Sequence, residues 1–344
     1  MNIDNELIKQ IKITPLLDTL KLENISDEVY FSEKYSNYIS NSRLGKLVKE
    51  GAESFFKGFV EQEYNPSFFF GGLLHQQYLQ PESYEVIKGV FTPTAKARLM
   101  ALELYKPDGT TPTDDEIKAA SYKVGYYKDK LTSNRITELR GKCNDFWRDR
   151  CIYEHDNPIK EGDKERVYID EKSYNLLNCC LDSINNNVEF EKLIHPEGIA
   201  KVPYSANEQT ILMDVQIEVP GYEPKVFKLK SKLDNFTIDE EENVITVNDL
   251  KTTSKLAKEF DPTFFHYQRE IGMYSYLLKL CAKKFFNLEN PTIKGNFLVV
   301  SVIPDYNSLV YPMTAKLYKS GFEEFKYLLK TAAYLNIVKG YEFT

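Results

Sequence analysis

The sequence predicts an α/β fold of the α+β type, with a central mixed β-sheet flanked by helices, a helical N-terminal part and a helical insertion. Two observations support this class. Three segments after residue 205 alternate apolar and polar residues with period two, which is typical of strands. Before residue 205, apolar residues recur mainly at helical spacing, so the sheet is expected in the C-terminal part.

Composition indicates an ordinary folded protein. The chain has 344 residues, of which 42% are hydrophobic and 13% aromatic, and this aromatic content argues against disorder. No run approaches the ~20 apolar residues that a membrane-spanning helix needs. The N-terminus lacks the pattern of a secretory signal. A cytoplasmic protein without a membrane partner is therefore expected.

The net charge and the cysteines limit which kinds of binding site the chain is expected to have. A formal net charge of −7 argues against nonspecific coating of nucleic acid, which depends on Lys and Arg, but it does not exclude a local basic channel. No two cysteines form a Cys-x-x-Cys pair, so reduced thiols are predicted rather than disulfides or a zinc site. The five are Cys143, Cys151, Cys179, Cys180 and Cys281.

The first 82 residues predict a short N-terminal segment followed by helices. Residues 1–39 are mixed and polar, with a helical signal only in NELIKQIK. A helix is expected from Asn41 to Phe59, with Ser40 or Ser42 as its N-cap. The apolar run SFFFGGLLHQQYLQPE follows. Residues 40–82 are therefore predicted to be helical.

Residues 83–204 predict a helical insertion. A short helix is expected over residues 94–105, and Thr113 with Glu116 forms a capping box that opens a charged helical stretch to about Asp156. Asp170 caps another helix that ends near Asn186. Basic and aromatic residues interleave over residues 123–142, so this stretch either contacts a nucleic acid or is simply a solvated amphipathic helix.

Residues 205–344 predict the order β-β-β-α-β-α. The three strands are QTILMDVQIEV, KVFKLKSKLDNFTI and NVITVNDLKT, separated by the turns PGYEP and DEEEN. A helix capped by Asp261, with Pro262 at its first position, is expected to reach Phe286. GNFLVVSVIP is a buried strand, and a last helix covers residues 315–338.

The second and third strands carry the residues of chemical interest. Lys228, Lys230, Lys232 and Asp234 alternate along one face of the second strand, and Ile245, Val247, Asp249 and Lys251 along one face of the third. A hairpin places facing residues ~5 Å apart. In a suitable register, therefore, two carboxylates converge with an amine beside them.

Two carboxylates and an amine at a strand end suit metal-assisted phosphodiester hydrolysis. Carboxylates bind Mg²⁺, with Mn²⁺ as a possible substitute, and the ion polarises the scissile phosphate. Lys251 could orient or deprotonate the attacking water. The alternative is that these charges form only a solvated face of a hairpin, since Asp-x-Lys is a short pattern.

The order and spacing of several motifs between about residues 38 and 280 resemble the PD-(D/E)XK nuclease superfamily. The branch they resemble is RecB-like and RecE-like, of the exodeoxyribonuclease VIII and lambda-exonuclease type found in phages. The motifs are Ser40-Asn41-Ser42, Gly72-x-x-His75, Glu208, Ser231-Lys232-Leu233-Asp234, Asp249-Leu250-Lys251-Thr252-Thr253, and a helix containing Gln268 and Tyr274. The resemblance implies a restriction-endonuclease-like core, with its first helices in residues 40–82 and its α/β part in residues 205–344.

The resemblance implies a role for each matched residue. Asp234 and Asp249 would hold the catalytic metal together with the backbone carbonyl of Leu250, and Lys251 would activate water. His75 would be a metal ligand, and Glu208 would serve catalysis through a second metal. The residues that would position DNA are Ser40, Ser42, Lys232, Gln268 and Tyr274.

Two departures from the pattern affect these assignments. Ser231 stands where the superfamily has glycine. Gln268 and Tyr274 are six residues apart, whereas the Gln-x-x-x-Tyr spacing of the superfamily would place Glu270 opposite Tyr274. Either the helix is locally irregular there or Gln268 is not the equivalent residue.

Each singled-out residue also has a structural interpretation. His75 beside an apolar run could be a hydrogen-bonded core histidine, and Glu208 an ordinary charge at the end of a strand. Tyr274 could pack on a helix face. Ser40 and Ser42 could serve only as helix caps, although a capped helix N-terminus is also a phosphate site.

The resemblance implies a Mg²⁺-dependent 5′-to-3′ exonuclease acting on double-stranded DNA in recombination or replication. Implied partners are DNA, a single-strand annealing protein and further copies of the chain in a ring, in the cytoplasm of a bacterial host cell. One alternative is an endonuclease or single-strand nuclease of the same fold. Another is a catalytically silent DNA-binding or structural protein, but the presence of Asp234, Asp249 and Lys251 favours an enzyme.

Overall fold

A computed structural model describes residues 4–57, 65–88, 104, 110–124, 131–194 and 204–343. The predicted helix over 94–105 lies almost wholly outside these ranges. The chain divides into two compact units. The larger comprises Met1–Val60 and Ser183–Thr344, and the smaller is Glu61–Asp182.

The larger unit is built on a six-stranded mixed sheet, which confirms the predicted fold class. Its strand order is β1-β4-β5-β6-β7-β8, and every neighbouring pair is antiparallel except β6 and β7. The strands are β1 (Lys12–Asn24), β4 (Tyr204–Glu218), β5 (Lys225–Asp239), β6 (Val244–Thr253), β7 (Thr292–Ser301) and β8 (Ser308–Pro312).

Connection length explains this pattern. Short turns join β4 to β5 and β5 to β6, so these strands run antiparallel, as the period-two alternation predicts. Between β6 and β7 the chain makes a long crossover through the helix α10 (Tyr267–Phe285), which allows parallel pairing.

Two long helices, α10 and α11 (Ala315–Ile337), pack tightly against each other. A Cβ added at Gly321 would lie 1.9 Å from the carbonyl oxygen of Gln268, and one added at Gly272 would lie 2.6 Å from the backbone of Gly321. Only glycine permits so close an approach of two backbones. The crossing fixes α10, whose apolar residues join the sheet in one hydrophobic core.

The N-terminal segment contains the short helix that the sequence predicts and also a long strand that it does not predict. The helix α1 is confined to Asn5–Gln10, where the side chain of Asp4 caps it, and β1 follows directly. The strand β1 pairs with β4, nearly two hundred residues away. Its pairing is interrupted between Leu16 and Lys21, so its sequence shows no clean alternation.

The helix predicted from Asn41 to Phe59 is two helices. They are α3 (Asn41–Lys49) and α4 (Ala52–Phe56), separated at Gly51, whose φ of 92° no right-handed helix contains. Short helices α2 (Asp27–Tyr30) and, further along the chain, α9 (Val188–Ile194) complete this unit.

The helix predicted to begin at Pro262 begins five residues later, at Tyr267. The side chain of Asp261 accepts the backbone N–H of Thr263, and this hydrogen bond closes a turn instead of capping a helix. His266 then has a left-handed φ of 59°, which separates this turn from α10.

The smaller unit combines helices with a two-stranded parallel sheet that the sequence pattern did not predict. Its elements are α5 (Pro66–Leu79), β2 (Tyr84–Lys88), α6 (Asp114–Lys123), α7 (Ser133–Asp156), β3 (Glu165–Ile169) and the start of α8 (Glu171–Asn185). The predicted capping box of Thr113 and Glu116 is confirmed, as is the cap at Asp170.

Two negative findings apply to the described residues. None of the helices in these ranges is both long and apolar enough to cross a lipid bilayer. Within the same ranges, the cysteines Cys179, Cys180 and Cys281 are free thiols, as predicted.

Candidate active site

The candidate site lies where β5 and β6 separate. Their last regular pair is Asn235 with Asn248, so Asp234 and Asp249 are the next residues outward and project from the same face. Beyond this pair, Asp234 Oδ2 accepts the backbone N–H of Leu250 at 2.7 Å. A side-chain carboxylate thus satisfies an N–H that the adjoining strand leaves unpaired.

On the opposite face of the sheet, hydrogen bonds between asparagine side chains keep β5 and β6 in this register. Asn235 Nδ2 donates to Asn207 Oδ1 at 2.7 Å, and Asn248 Nδ2 donates to Asn235 Oδ1 at 2.8 Å. Asn296 Nδ2 in turn donates to Asn248 Oδ1 at 2.9 Å. These bonds link four adjacent strands, so Asp234 and Asp249 cannot slip relative to each other without breaking buried hydrogen bonds.

Lys251 lies among the carboxylates. Its Nζ is 2.9 Å from Oδ1 and 2.8 Å from Oδ2 of Asp249, and 3.2 Å from Oε2 of Glu270. Asp249 is fully buried, and only its Oδ1 makes a hydrogen bond of good geometry with the amine. One oxygen of this carboxylate is therefore left without a hydrogen bond inside the protein.

Glu270 is the site residue that was missing from the predicted set. It is carried by α10, and its Oε1 accepts the hydroxyl of Tyr274 at 2.9 Å. The signal in the sequence was the four-residue spacing, which placed Glu270 opposite Tyr274. Because α10 is continuous from Tyr267, the helix is regular there and Glu270 is the residue that faces β6.

Gln268 lies on a different face of α10. Its Nε2 donates to Glu324 Oε2 of α11 at 3.2 Å, and its side chain is buried. Arg269 donates to the same carboxylate at 2.9 Å and to Asn41 of α3 at 2.7 Å. The structure therefore places Gln268 in the packing between α10 and α11, and not beside the carboxylates of Asp249 and Glu270.

Glu208 faces Asp234 across β4 and β5. The pairs Asn207–Asn235 and Gln209–Leu233 flank it, and its φ of 53° is a left-handed value that interrupts the ladder. Lys232 forms an ion pair with Glu208 at 3.2 Å and another with Asp27 of α2. The predicted DNA-positioning residue Lys232 thus has two acidic partners.

The pKa values of the carboxylates in this cluster are shifted mainly by burial and by the repulsion between neighbouring carboxylates. Burial, reinforced by Asp234, raises the pKa of Glu208 to about 8, against the opposing effect of Lys232. Burial likewise raises the pKa of Asp249, although Lys251 counteracts this. Burial alone would lower the pKa of Lys251, but Asp249 and Glu270 raise it well above its ordinary value.

Glu270 behaves differently from the other carboxylates. Burial acts to raise its pKa, but the ammonium of Lys251 and the hydroxyl of Tyr274 outweigh this and bring the pKa below its ordinary value. Glu270 is thus the carboxylate that carries the charge balancing Lys251, while Asp249 resists ionisation. A divalent cation beside Asp249 would relieve that resistance.

The donor set fits a hard divalent cation. Glu208, Asp234, Asp249 and Glu270 form a carboxylate cluster faced by two ammonium groups, those of Lys232 and Lys251. Full ionisation of the four carboxylates would leave negative charge in excess, which is consistent with the raised pKa values of Glu208 and Asp249. A buried oxygen of Asp249 also lacks a hydrogen bond. Mg²⁺ and Mn²⁺ take such oxygen ligands and supply the missing positive charge.

The remaining predicted residues are two serines, a tyrosine and a histidine. Ser40 caps α3 by accepting the N–H of Arg43 at 3.2 Å, and its Oγ is 2.9 Å from that of Ser42. Of the two candidate caps Ser40 is therefore the N-cap, and the DNA-positioning role of both serines stays a prediction. Tyr274 is buried against Glu270. His75 lies half-buried in α5 of the smaller unit, and its metal role stays a prediction.

Comparisons with known proteins give only distant similarity. No family model matches this chain, and no curated protein matches its sequence. A solved structure named "Putative exonuclease" from Eubacterium rectale has a TM-score of 0.45 at 10% identity, covering 90% of this chain and 87% of that one.

Two further solved structures are less similar. The protein SSO0001 has a TM-score of 0.25 at 13% identity over 77% of this chain and 87% of its own. VC1899 from Vibrio cholerae has a TM-score of 0.19 at 12% identity over 82% of this chain and 59% of its own. At these values, similarity assigns neither a family nor an activity to this chain.

Proposed function

We propose that this chain is a Mg²⁺-dependent nuclease of the PD-(D/E)XK type that hydrolyses DNA phosphodiester bonds. The observation that supports this most directly is the position of Lys251, 2.8 Å from Asp249 and 3.2 Å from Glu270 where β5 and β6 separate. Buried carboxylates around one amine, with an excess of negative charge, suit a metal and a phosphate better than redox or acyl-transfer chemistry.

The carboxylates and the lysine of the site would have different roles in hydrolysis. Asp234, Asp249 and Glu270 would hold the cation, which when bound supplies positive charge to the phosphate and lowers the pKa of a ligated water. Lys251 is held protonated by its acidic partners, so it suits orienting the attacking water and stabilising negative charge on the phosphate rather than removing a proton.

We further propose that Glu208 and His75 assist a metal. Glu208 faces Asp234, and burial, reinforced by the negative charge of Asp234, raises the pKa of Glu208 to about 8. A second cation there would reverse this. His75 is included because of the Gly72-x-x-His75 motif.

The finer assignment is a 5′-to-3′ exonuclease on double-stranded DNA, and it is supported only by the motif resemblance. The same resemblance supports a ring of identical subunits and an annealing protein as partners. An endonuclease, or a nuclease specific for single strands, would use the same carboxylates and lysine.

One experiment tests the activity and separates these alternatives. Linear and circular duplexes, and a single strand, labelled at the 5′ or the 3′ end, are incubated with the protein in Mg²⁺ or EDTA. We expect Mg²⁺-dependent loss of the linear duplex only, with the 5′ label released first. Cleavage of the circle would identify an endonuclease.

The variant Asp249→Ala supplies the control for contamination by other nucleases. It removes a metal ligand without removing apolar core volume, so it should fold and bind DNA but release no nucleotides. Full activity in this variant would refute the site. Absence of hydrolysis in the wild-type protein, combined with retained DNA binding, would instead support the catalytically silent alternative.

A further inference from the structure

An exposed aromatic pair lies in the turn that precedes α10. Phe264 and Phe265 are 70% and 53% exposed, and their rings meet edge to face with centroids 4.7 Å apart. Two adjacent phenylalanines exposed to water lack the favourable free energy that burial of their rings would contribute. The pair is therefore a candidate contact surface, which we call the aromatic pair.

The turn presents these rings in a fixed arrangement. Asp261 Oδ1 accepts both the backbone N–H and the hydroxyl of Thr263, at 2.8 and 2.7 Å. The N–H of Phe264 donates to the carbonyl of Asp261 at 3.2 Å, and that of Tyr267 to the carbonyl of Pro262 at 2.9 Å. The exposure of the rings thus belongs to a hydrogen-bonded turn, which reduces the ordering cost of binding.

The aromatic pair is continuous with the carboxylate cluster. The ring of Phe265 has its centroid 5.6 Å from that of Tyr267, and Lys251 Nζ lies 5.0 Å from the centroid of Tyr267. Tyr267 is itself fixed by parallel stacking on Phe260 at 5.8 Å. Only one tyrosine ring therefore separates Phe265 from the amine of the candidate site.

We infer that the aromatic pair is a stacking subsite for a nucleobase of the strand whose phosphate reaches the carboxylate cluster. This inference rests on the proposed function. Nucleobases stack on exposed aromatic rings without regard to sequence, as a nuclease of broad specificity requires. Lys255, whose Nζ lies 5.8 Å from the ring centroid of Phe264, is placed to contact the adjoining backbone.

Stacking rather than charge is the source of affinity at this surface. Lys255 and Lys258 are offset by Glu259 and Asp261, so the charges carried by this segment balance. A protein partner would need a broader apolar face than two rings. The occupant we infer is therefore a single unpaired base.

The test compares two oligonucleotides that share a phosphate backbone. Binding of fluorescein-labelled dT₁₂ and of an abasic strand of the same length is measured by anisotropy in EDTA, which prevents metal-dependent hydrolysis. We expect the wild-type protein to prefer dT₁₂, and the double variant Phe264→Ala/Phe265→Ala to lose at least about fivefold of affinity for dT₁₂ only. Phe264→Trp should keep the preference.

The matched control is Phe285→Ala at the far end of α10. Phe285 is 41% exposed and also has a lysine over its ring, with Lys284 Nζ 5.4 Å from the centroid. It lies about 27 Å from Tyr267 at the rise of an α-helix. This variant should bind both strands as the wild type does. Since all three phenylalanines are exposed, each variant is expected to fold, which circular dichroism checks.

The outcomes separate the inference from the proposed function. Equal affinity of the wild-type protein for both strands, or an unchanged preference in the double variant, would overturn the stacking subsite even if hydrolysis is observed. The same result would favour a protein as the partner that covers the aromatic pair. Binding of neither strand, without hydrolysis, would overturn the proposed function as well.

Discussion

Lys251 is the residue whose surroundings say most about the chemistry. It is the cation between Asp249 and Glu270, so its removal leaves the carboxylates with more uncompensated charge. Lys251→Ala should lower kcat by about 10²–10³-fold, as loss of one group that stabilises transition-state charge does elsewhere. Metal affinity should be kept or increased.

Single-turnover hydrolysis and calorimetric Mg²⁺ titration measure the two effects separately. Lys258→Ala, which changes an exposed lysine in the following turn, is the control for loss of charge near the site. If Lys251→Ala abolished metal binding in a folded protein, the lysine would be needed to organise the ligands and its assigned role would be wrong.

Glu208 should make the metal-free protein less stable as the pH rises. Its pKa of about 8 exceeds the ordinary value of 4.5, so between these limits the folded state binds more protons than the unfolded state. The free energy of unfolding therefore falls with increasing pH across this window. Glu208→Gln should make this fall shallower.

Urea unfolding in EDTA at pH 5, 6.5 and 8 checks this pH dependence. Glu223→Gln, an exposed change in the turn between β4 and β5, should leave the slope as it is in the wild type. Identical slopes for Glu208→Gln and wild type would show that Glu208 ionises normally in the folded protein.

At the level of elements, the crossing of α10 and α11 determines where Glu270 lies. A side chain at Gly321 would meet the backbone of α10, which cannot move aside as a flexible side chain can. Gly321→Ala should therefore destabilise the protein by about 3 kcal/mol and reduce hydrolysis, because α10 would shift.

Gly141→Ala is the matched control for the glycine change. Gly141 lies in α7, and a Cβ there would have no atom within 4 Å, so alanine should stabilise that helix by about 1 kcal/mol. Denaturant unfolding and hydrolysis rates are compared for both variants. Wild-type stability in Gly321→Ala would mean that the two helices do not pack as closely as described.

Elements formed by local pattern were predictable, and those that depend on distant partners were not. The strands β5 and β6 and the helix α11 follow directly from alternation and helical spacing. The edge strand β1 depends on β4, far along the chain, and its alternation is broken where the pairing shifts. The start of α10 was misplaced because a local Asx turn at Asp261 uses the same side chain as a helix cap.

At the level of the whole molecule, the cation would join three elements. Asp234, Asp249 and Glu270 are carried by β5, β6 and α10, so binding stabilises only the folded arrangement. At about 100 times its dissociation constant, Mg²⁺ should contribute about 2.7 kcal/mol and raise the Tm by about 4 °C.

Asp249→Asn should abolish this thermal shift while raising the Tm measured in EDTA. The second effect follows because the change removes a buried carboxylate whose ionisation is opposed. Glu241→Gln in the acidic turn between β5 and β6 controls for nonspecific Mg²⁺ binding. An equal Mg²⁺ shift in Asp249→Asn would place the ion elsewhere.

The sequence by itself determined the hairpin of β5 and β6, and with it the convergence of Asp234, Asp249 and Lys251, because strand alternation and a short turn are local properties. Only the tertiary structure decided that Glu270 rather than Gln268 faces this hairpin. That choice depends on how α10 is rotated against β6 and α11, and the close contact at Gly321 sets this rotation. The physical reason is that side-chain direction along a strand follows from two-residue periodicity, whereas the orientation of a helix is set by what it packs against.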